Sequence, residues 1–588
     1  MKDSKHREHR ASSCIKAATL GFVLLGVVLR FTGIGWGLPF NLHVDENQGS
    51  LHEPPQIEWK FAHQGWPEST LASYGALPAY LHIGLRHWLL GHTPYAQHVH
   101  DAPDAHVYTN HAFTHGPSDG TQYHWPDVTL LVRATSATFY SLALIVLVLI
   151  ARRLWGDEAA LATAIFSTAQ PAIIQHAHFG TLDGWVVLGT AMLLHACLRI
   201  AAHGKWRDYM YAWGGLLIAS NAKLTAAVFA IFVILAAYER TPSMRHLIAS
   251  GRLWFVFTMF PVSWLVLNPT AALRPAWYFY ESPISLFELA RVYRRGGPLS
   301  DWALFYDDKP ITYVLTQVLP DGMGLLNAMF SLIALGFVLV SERGTKRWPA
   351  LFALLAFWPF LSTQLHTIRY LLPAFGFLAL AQARTFMALW ERVRASRTNA
   401  WRVLGVGALT LAVVGGIEGT AYAIGMSALH VGEENRVAAA RWIANHVEPG
   451  DVVAIQDHPM YRPPLRDDWR VGSSPDIRQV PIHILWNSNR DGVHTGDARF
   501  IAVNEWELRM IDVPRYVRTF PQRSEWLSEI RAHGAPRGYR PVAQFDRRPS
   551  FLFFTRDESQ AEIFSFAFDH LPIYVFERES TDVSSDSQ

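Results

Sequence analysis

The sequence predicts a polytopic α-helical membrane protein of about eleven transmembrane helices, followed by a C-terminal soluble α/β domain. Three observations carry this. Half of the 588 residues are apolar and 17% are charged, with 22 Trp and 34 Phe, a composition that is neither disordered nor fibrous. The charge is uneven: residues 431–588 hold 24 acidic residues and 19 arginines, whereas the first 430 residues hold 57 of the chain's 100 charges. That first part also carries apolar runs of membrane-spanning length. The mean hydropathy of +0.10 averages two unlike parts.

The basic N-terminus MKDSKHREHR leads into an apolar run from Ile15 to Pro39 with no small-residue cleavage site, so it reads as a retained first span at 17–37. Further spans are expected at 128–150, 158–175, 182–200, 252–268, 318–340, 348–364, 368–389 and 403–425. The segment 208–238 is long for one span and short for two, and charge decides it. Basic residues collect in 1–16, 152–157, 199–207, 239–252, 341–348 and 391–402. Placing all six on the cytoplasmic side requires two short helices, 208–220 and 223–238, turning near Ser220–Lys223. The expected topology has a cytoplasmic N-terminus in a plasma (inner) membrane and external loops at 38–127 and 269–317. The transmembrane domain ends at 430, and residues 431–588 form the external domain. Trp66-Pro67 and the stretch from Tyr74 to Tyr80 point to short interfacial helices in the first loop. In the external domain a helix is expected at 433–446, with strands at 452–455, 499–503 and 573–576.

Composition also excludes. A net charge of +2 argues against a nucleic-acid partner bound through a basic face, and two cysteines, Cys14 and Cys197, make no disulfide framework. No Gly-rich phosphate loop calls for a nucleotide cofactor. The first loop holds twelve of the 27 histidines without a zinc-like spacing.

The candidate chemistry lies on the external side. Asp45 and Glu46 are adjacent carboxylates just after the first span, either a solvated turn or a pair held by a partner or metal. His176, His178 and Asp183 crowd the short turn between the third and fourth spans. They could ligate a divalent cation or a phosphate, or simply make the turn polar. Lys223 and Arg369 sit at two further external turns, and Arg274, Arg30 and Arg133 lie near the same boundary. A cation there has a partner, an anionic ligand such as phosphate, or an interfacial position.

Several segments in order resemble the GT-C superfamily of membrane glycosyltransferases, and most closely the protein O-mannosyltransferase and aminoarabinose-transferase branch. They are Arg30 with Asp45-Glu46, Tyr74–Leu77, Ala151–Gly156, His178–Asp183, Ala222–Thr225, Arg369–Pro373, and the run from Asn435 to Gly450. The resemblance implies an enzyme that takes a sugar from a polyprenyl-phosphate donor and passes it, with inversion, to a protein, lipid or glycan acceptor outside the membrane. It implies that Asp45 accepts the acceptor's proton and that Glu46 orients Asp45 or touches the acceptor. Asp183, with His178, faces the donor phosphate directly or through a divalent cation. Lys223 and Arg369 then stabilise the leaving phosphate. The histidine pair before Asp183 is not general to the family. Two other readings remain from the sequence: a secondary transporter, which should show inverted repeats and a midplane site, and a non-catalytic envelope-assembly protein.

Overall fold

The structure, a computed structural model, describes residues 2–40, 42–43, 46, 53–65, 75–89, 125–281, 287, 310–361, 367–395, 399–457, 461–466, 476–486, 491–558, 561 and 566–579. Helix α1 is Lys2–Phe31, and the first loop contributes α2 (Glu53–Gln64) and α3 (Leu77–Leu89). There follow α4 (Trp125–Trp155), α5 (Asp157–Thr168), α6 (Pro171–Ala177), α7 (Asp183–Ala202) and α8 (Trp206–Ala222). A 3₁₀ turn at Leu224–Ala230 runs into α9 (Ile231–Arg240), and α10 (Gly251–Leu267), α11 (Leu325–Ser341), α12 (Trp348–Leu361), α13 (Leu372–Ala395) and α14 (Asn399–Val431) complete the bundle.

Among the described residues, five helices are long and apolar enough to cross a membrane: Ser12–Phe31, Asp127–Trp155, Asp183–Ala202, Ile368–Ala395 and Asn399–His446. The count rises to six if Ile311–Met323 and Leu325–Ser341, bent by 115°, form one span. The chain is therefore a multi-pass, helical membrane protein. Two expected spans are broken rather than straight. The first, 158–175, breaks at Ala169–Gln170, where Pro171 opens α6 without a backbone N–H to satisfy and Gln170 Nε2 donates to Phe375 O at 2.8 Å. The second, 318–340, bends at Gly324, whose φ of +85° suits glycine. The new helix start is not left bare, because Glu418 of α14 accepts from Leu325 N and Leu326 N at 3.1 and 2.8 Å.

Small residues let the helices approach closely. A Cβ on Gly189 of α7 would stand 2.6 Å from Gly215 O and Ala219 N of α8. In the first loop, α3 is tied to the bundle through Gly75 N to Asn221 O at 2.8 Å and Ala76 N to Asn268 Oδ1 at 2.7 Å.

Beyond α14, α15 (Asn435–His446) precedes a five-stranded mixed sheet of order β2-β1-β3-β7-β4. Its strands are β1 (Val453–Ile455), β2 (Ile482–Ile484), β3 (Phe500–Asn504), β4 (Tyr539–Phe545) and β7 (Ile573–Arg578). β1 runs parallel to β2 and β3, and β7 is antiparallel to both β3 and β4. Helices α16 (Glu505–Met510), α17 (Pro514–Thr519) and α18 (Pro521–His533) lie between β3 and β4. A separate hairpin pairs β5 (Ser550–Phe551) with β6 (Phe554–Thr555). The period of two divides the sheet's faces: Phe500 and Ala502 enter one core with α15, and Ile501 and Val503 enter another with Leu527 and Ile530. The first of these cores also takes in Trp36, Phe40, Leu42 and Phe179, so this α/β part seats on the end of the bundle where α1 ends and α7 begins.

Candidate functional site

That end gathers two charged clusters. In the first, Asp183 opens α7, where a carboxylate complements the helix dipole. Its Oδ1 pairs with Lys223 Nζ, and its Oδ2 lies 3.1 Å from Arg369 Nη2. Lys223 reaches it from the end of α8, and Arg369 from the 3₁₀ turn Ile368–Leu371 that leads into α13. The Lys223 ammonium also lies 4.9 Å from the centre of the Tyr370 ring. Three residues singled out from separate turns of the sequence thus meet at one point. Among the described residues, one buried carboxylate faces both cations. The side chains of Lys223 and Arg369 retain 16% and 10% exposure.

In the second cluster, Glu46 is fully buried and clamped by Arg133 of α4. Arg133 Nε donates to Oε1 at 2.8 Å and Nη2 to Oε2 at 3.0 Å, the forked geometry that suits guanidinium and carboxylate. Gly180 N also donates to Oε1, at 2.5 Å. Arg133 Nη1 donates to Ile34 O and Trp36 O at 2.9 and 2.7 Å. Glu46 thereby joins α4, the chain after α1 and the turn before α7. Asp45, its neighbour and the expected catalytic acid, lies outside the described residues.

Two histidines link the clusters. His43 is within electrostatic reach of Glu46, Arg369 and Arg133; its ring centre is 4.2 Å from that of Phe179. Burial pushes its imidazole down to about 4, with Glu46 pulling the other way, so it is neutral at pH 7. His176 is within reach of Asp183, Arg369 and His43, and neither ring nitrogen has a hydrogen-bond partner among the described residues. Tyr140 of α4, buried near Asp183, Arg369 and Arg30, likewise keeps its hydroxyl unpaired among them.

The remaining expected site residues fall elsewhere. His178 turns away from Asp183. Its Nδ1 faces Ile174 O at 2.7 Å and its Nε2 faces Thr32 O at 2.6 Å, and its ring stacks on His430 with centres 4.3 Å apart. Both ring nitrogens therefore lie against backbone carbonyls rather than toward Asp183. Among the described residues no three His, Cys, Asp or Glu side chains are grouped to hold a metal ion. The described residues alone thus supply no complete donor set for the divalent cation considered from the sequence. Arg274 is exposed after a short helix and makes no ion pair with Asp183 among the described residues.

Sequence reasoning missed a buried polar chain beside the site. His430 Nε2 meets Asp569 Oδ2 at 2.6 Å, Asp569 Oδ1 meets His570 Nδ1 at 2.7 Å, and His570 Nε2 meets Glu558, which accepts from Tyr422 Oη. Gln175 Nε2 donates to Asp569 Oδ1 at 2.7 Å. Glu558 and Asp569 raise His570 to about 10 against the opposing effect of burial. The only sequence signal was the run Phe568-Asp569-His570 near the chain end, which has no spacing relation to His430.

With the geometry in place, comparison with known proteins is informative. Residues 127–265, about a quarter of the chain, match the family model described as dolichyl-phosphate-mannose-protein mannosyltransferase. The matched stretch includes Arg133, Asp183 and Lys223. No curated protein matches the chain. Solved structures similar to it include ArnT from Cupriavidus metallidurans bound to undecaprenyl phosphate, at 13% identity over 95% of this chain and 97% of that one with a TM-score of 0.46. Another is the archaeal oligosaccharyltransferase AglB from Archaeoglobus fulgidus in complex with an inhibitory peptide and a dolichol-phosphate, at 11% identity, 92% and 74% coverage and a TM-score of 0.45. Over residues 127–265, then, the chain is similar to the dolichyl-phosphate-mannose-protein mannosyltransferase family, and that stretch carries Arg133, Asp183 and Lys223 of the two clusters.

Proposed function

We propose that the protein is an inverting glycosyltransferase that moves a sugar from a polyprenyl-phosphate-linked donor to an acceptor on the outer face of the membrane. In this reading the bundle crosses the membrane eleven times, with the N-terminus in the cytoplasm, and residues 431–588 form an external domain over the site. The observation that carries it is the meeting of Lys223 and Arg369 on Asp183, next to a clamped Glu46, in a chain whose segment 127–265 matches a dolichyl-phosphate-mannose transferase family.

The chemistry follows from charge. An acceptor hydroxyl or amine gives its proton to Asp45 as its heteroatom bonds to the anomeric carbon. The bond from that carbon to the phosphate oxygen breaks, and its electron pair leaves with the polyprenyl phosphate. The negative charge that grows there is met by Lys223 and Arg369, already oriented by Asp183. Glu46, fixed from three sides, holds the backbone next to Asp45 and so aims that carboxylate. Exposed Arg274 is left as an approach residue for the lipid phosphate. His176 lies beside Asp183 with neither ring nitrogen hydrogen-bonded among the described residues.

The test is transfer by the purified, reconstituted protein from a polyprenyl-phosphate sugar. Asp45→Asn should stay folded in the membrane and lose transfer, and normal turnover by that variant sinks the assignment. Mass spectrometry of glycolipids and glycoproteins with and without the gene then identifies sugar and acceptor.

A further inference from the structure

The β5–β6 hairpin serves no evident purpose in the sheet. It pairs only with itself, and its turn exposes Leu552 and Phe553 at 81% and 99%. Leu552 has φ +53°, the one positive φ outside glycine among the described residues. In a two-residue hairpin that position ordinarily takes glycine or asparagine, because a Cβ is strained there. A leucine kept at such a place, beside a fully bared phenylalanine, points to the side chains themselves being used.

The hairpin's height along the bundle says by what. α14 begins beside the basic stretch that includes Arg392, Arg394 and Arg402. A hydrocarbon core of about 30 Å takes about 20 helical residues, which puts its far boundary on α14 near Tyr422–Gly425. The hairpin is seated at that level. A Cβ on Gly425 would lie 2.8 Å from Ser550 N, and the Tyr422 and Phe554 rings are 6.2 Å apart. Phe551 reaches further in, closing an apolar groove of about 400 Å³ whose other walls include Phe166 of α5, Phe386 of α13 and Val413 and Ile417 of α14. On α14, Val413 and Ile417 are themselves 50% and 65% exposed, as expected of a lipid-facing helix surface.

Polarity is graded along the hairpin. Ser550–Thr555 carries no charge. The charges stand at its base, where Arg548 pairs with Asp546 at 2.9 Å and Asp557 at 3.2 Å, and Arg547 donates to Glu433 O at 2.8 Å. An apolar tip with a charged base, continuous with the lipid-facing surface of the bundle, is the pattern of an element that dips into one leaflet. We infer that the Ser550–Thr555 hairpin is a lipid anchor: Leu552 and Phe553 insert among the acyl chains next to α14 and pin the C-terminal α/β part to the membrane.

The test uses the full chain in vesicles of phosphatidylethanolamine and phosphatidylglycerol, with Cys14→Ser so that the buried Cys197 is the sole native thiol. Phe553→Cys and, separately, Leu552→Cys carry a nitroxide, and Asp497→Cys, at a fully exposed side chain, reports the aqueous value. Collision of the nitroxide with oxygen, relative to a water-soluble nickel complex, should be several-fold higher at 552 and 553 than at 497. Nickel access equal to that at 497 would place the tip in water and overturn the proposal. Exclusion of both reagents with spin–spin broadening would assign the tip to a second copy of the chain, and would also overturn it.

Discussion

Glu46 and Arg133 form a forked ion pair with neither side chain exposed, 87 residues apart in sequence and joined by bonds of 2.8 and 3.0 Å. Removing one partner strands a charge in the interior, which costs about 3–5 kcal/mol. Arg133→Met and Glu46→Ala should each lower the melting temperature in detergent and abolish transfer. The double variant Glu46→Leu with Arg133→Met should recover much of the stability but not the transfer. Stability that stays low in the double variant would mean that the pair is not the cause.

The Asp183 cluster should separate binding from chemistry. Lys223→Gln and Arg369→Gln are each expected to reduce kcat/KM by about 10²–10³-fold, the range for deleting one donor to a developing anion. Because both cations share one carboxylate, their losses should not add. Asp183→Asn removes the buried carboxylate that both cations share and should weaken folding as well as turnover. Single-turnover transfer beside a thermal melt distinguishes the two effects.

Topology has its own readout. Gln48→Cys with Cys14→Ser should be labelled on intact cells by an impermeant maleimide. Labelling only after lysis would place the first loop inside and reverse the proposed orientation.

The α/β part should lose stability as pH rises. Burial pushes the Glu507 carboxyl up to about 8, with the Asn504 N–H and Arg523 drawing it part of the way back. A folded-state value above the unfolded one means the group binds its proton more tightly when folded. Its contribution is therefore complete below about pH 4.5 and is lost as pH climbs through about 8. Glu507→Gln should flatten the fall in melting temperature between pH 5 and 8. His570, raised to about 10, should add a second fall at higher pH that His570→Phe removes.

How much of this was legible in the sequence depends on how local its cause was. Asp183, Lys223 and Arg369 could be picked out because a charge beside hydrocarbon demands a partner or a task, even though the sequence could not say that they meet. Arg133 was grouped with the cations facing phosphate, because its partner Glu46 lies a whole loop away. His178 looked like a ligand from its spacing to His176, yet its neighbours are Thr32 O and the His430 ring, which no local pattern reveals. The α/β part shows the same limit. β1, β3 and β7 were visible as apolar runs, but β2 has His483 at its centre and is only half-buried, and β4 carries Pro541 at an edge and beside a bulge, where proline is tolerated. The broken spans were hidden because Ala169–Gln170 and Gly324 owe their shape to Phe375 and Glu418, far along the chain.

Gln175, in α6 just ahead of the turn into α7, is held by Asp569, 394 residues further on. That separation sets an order of assembly. Synthesis must pass Asp569 before the turn receives this support, so the spans can insert one by one while the site stays unfinished. Closing so long a loop is slow relative to local helix formation, though its entropic cost grows only logarithmically with length. A chain stopped before Ala567 should therefore insert normally and still be inert, which makes the segment that carries Asp569 a checkpoint on the protein's own biogenesis.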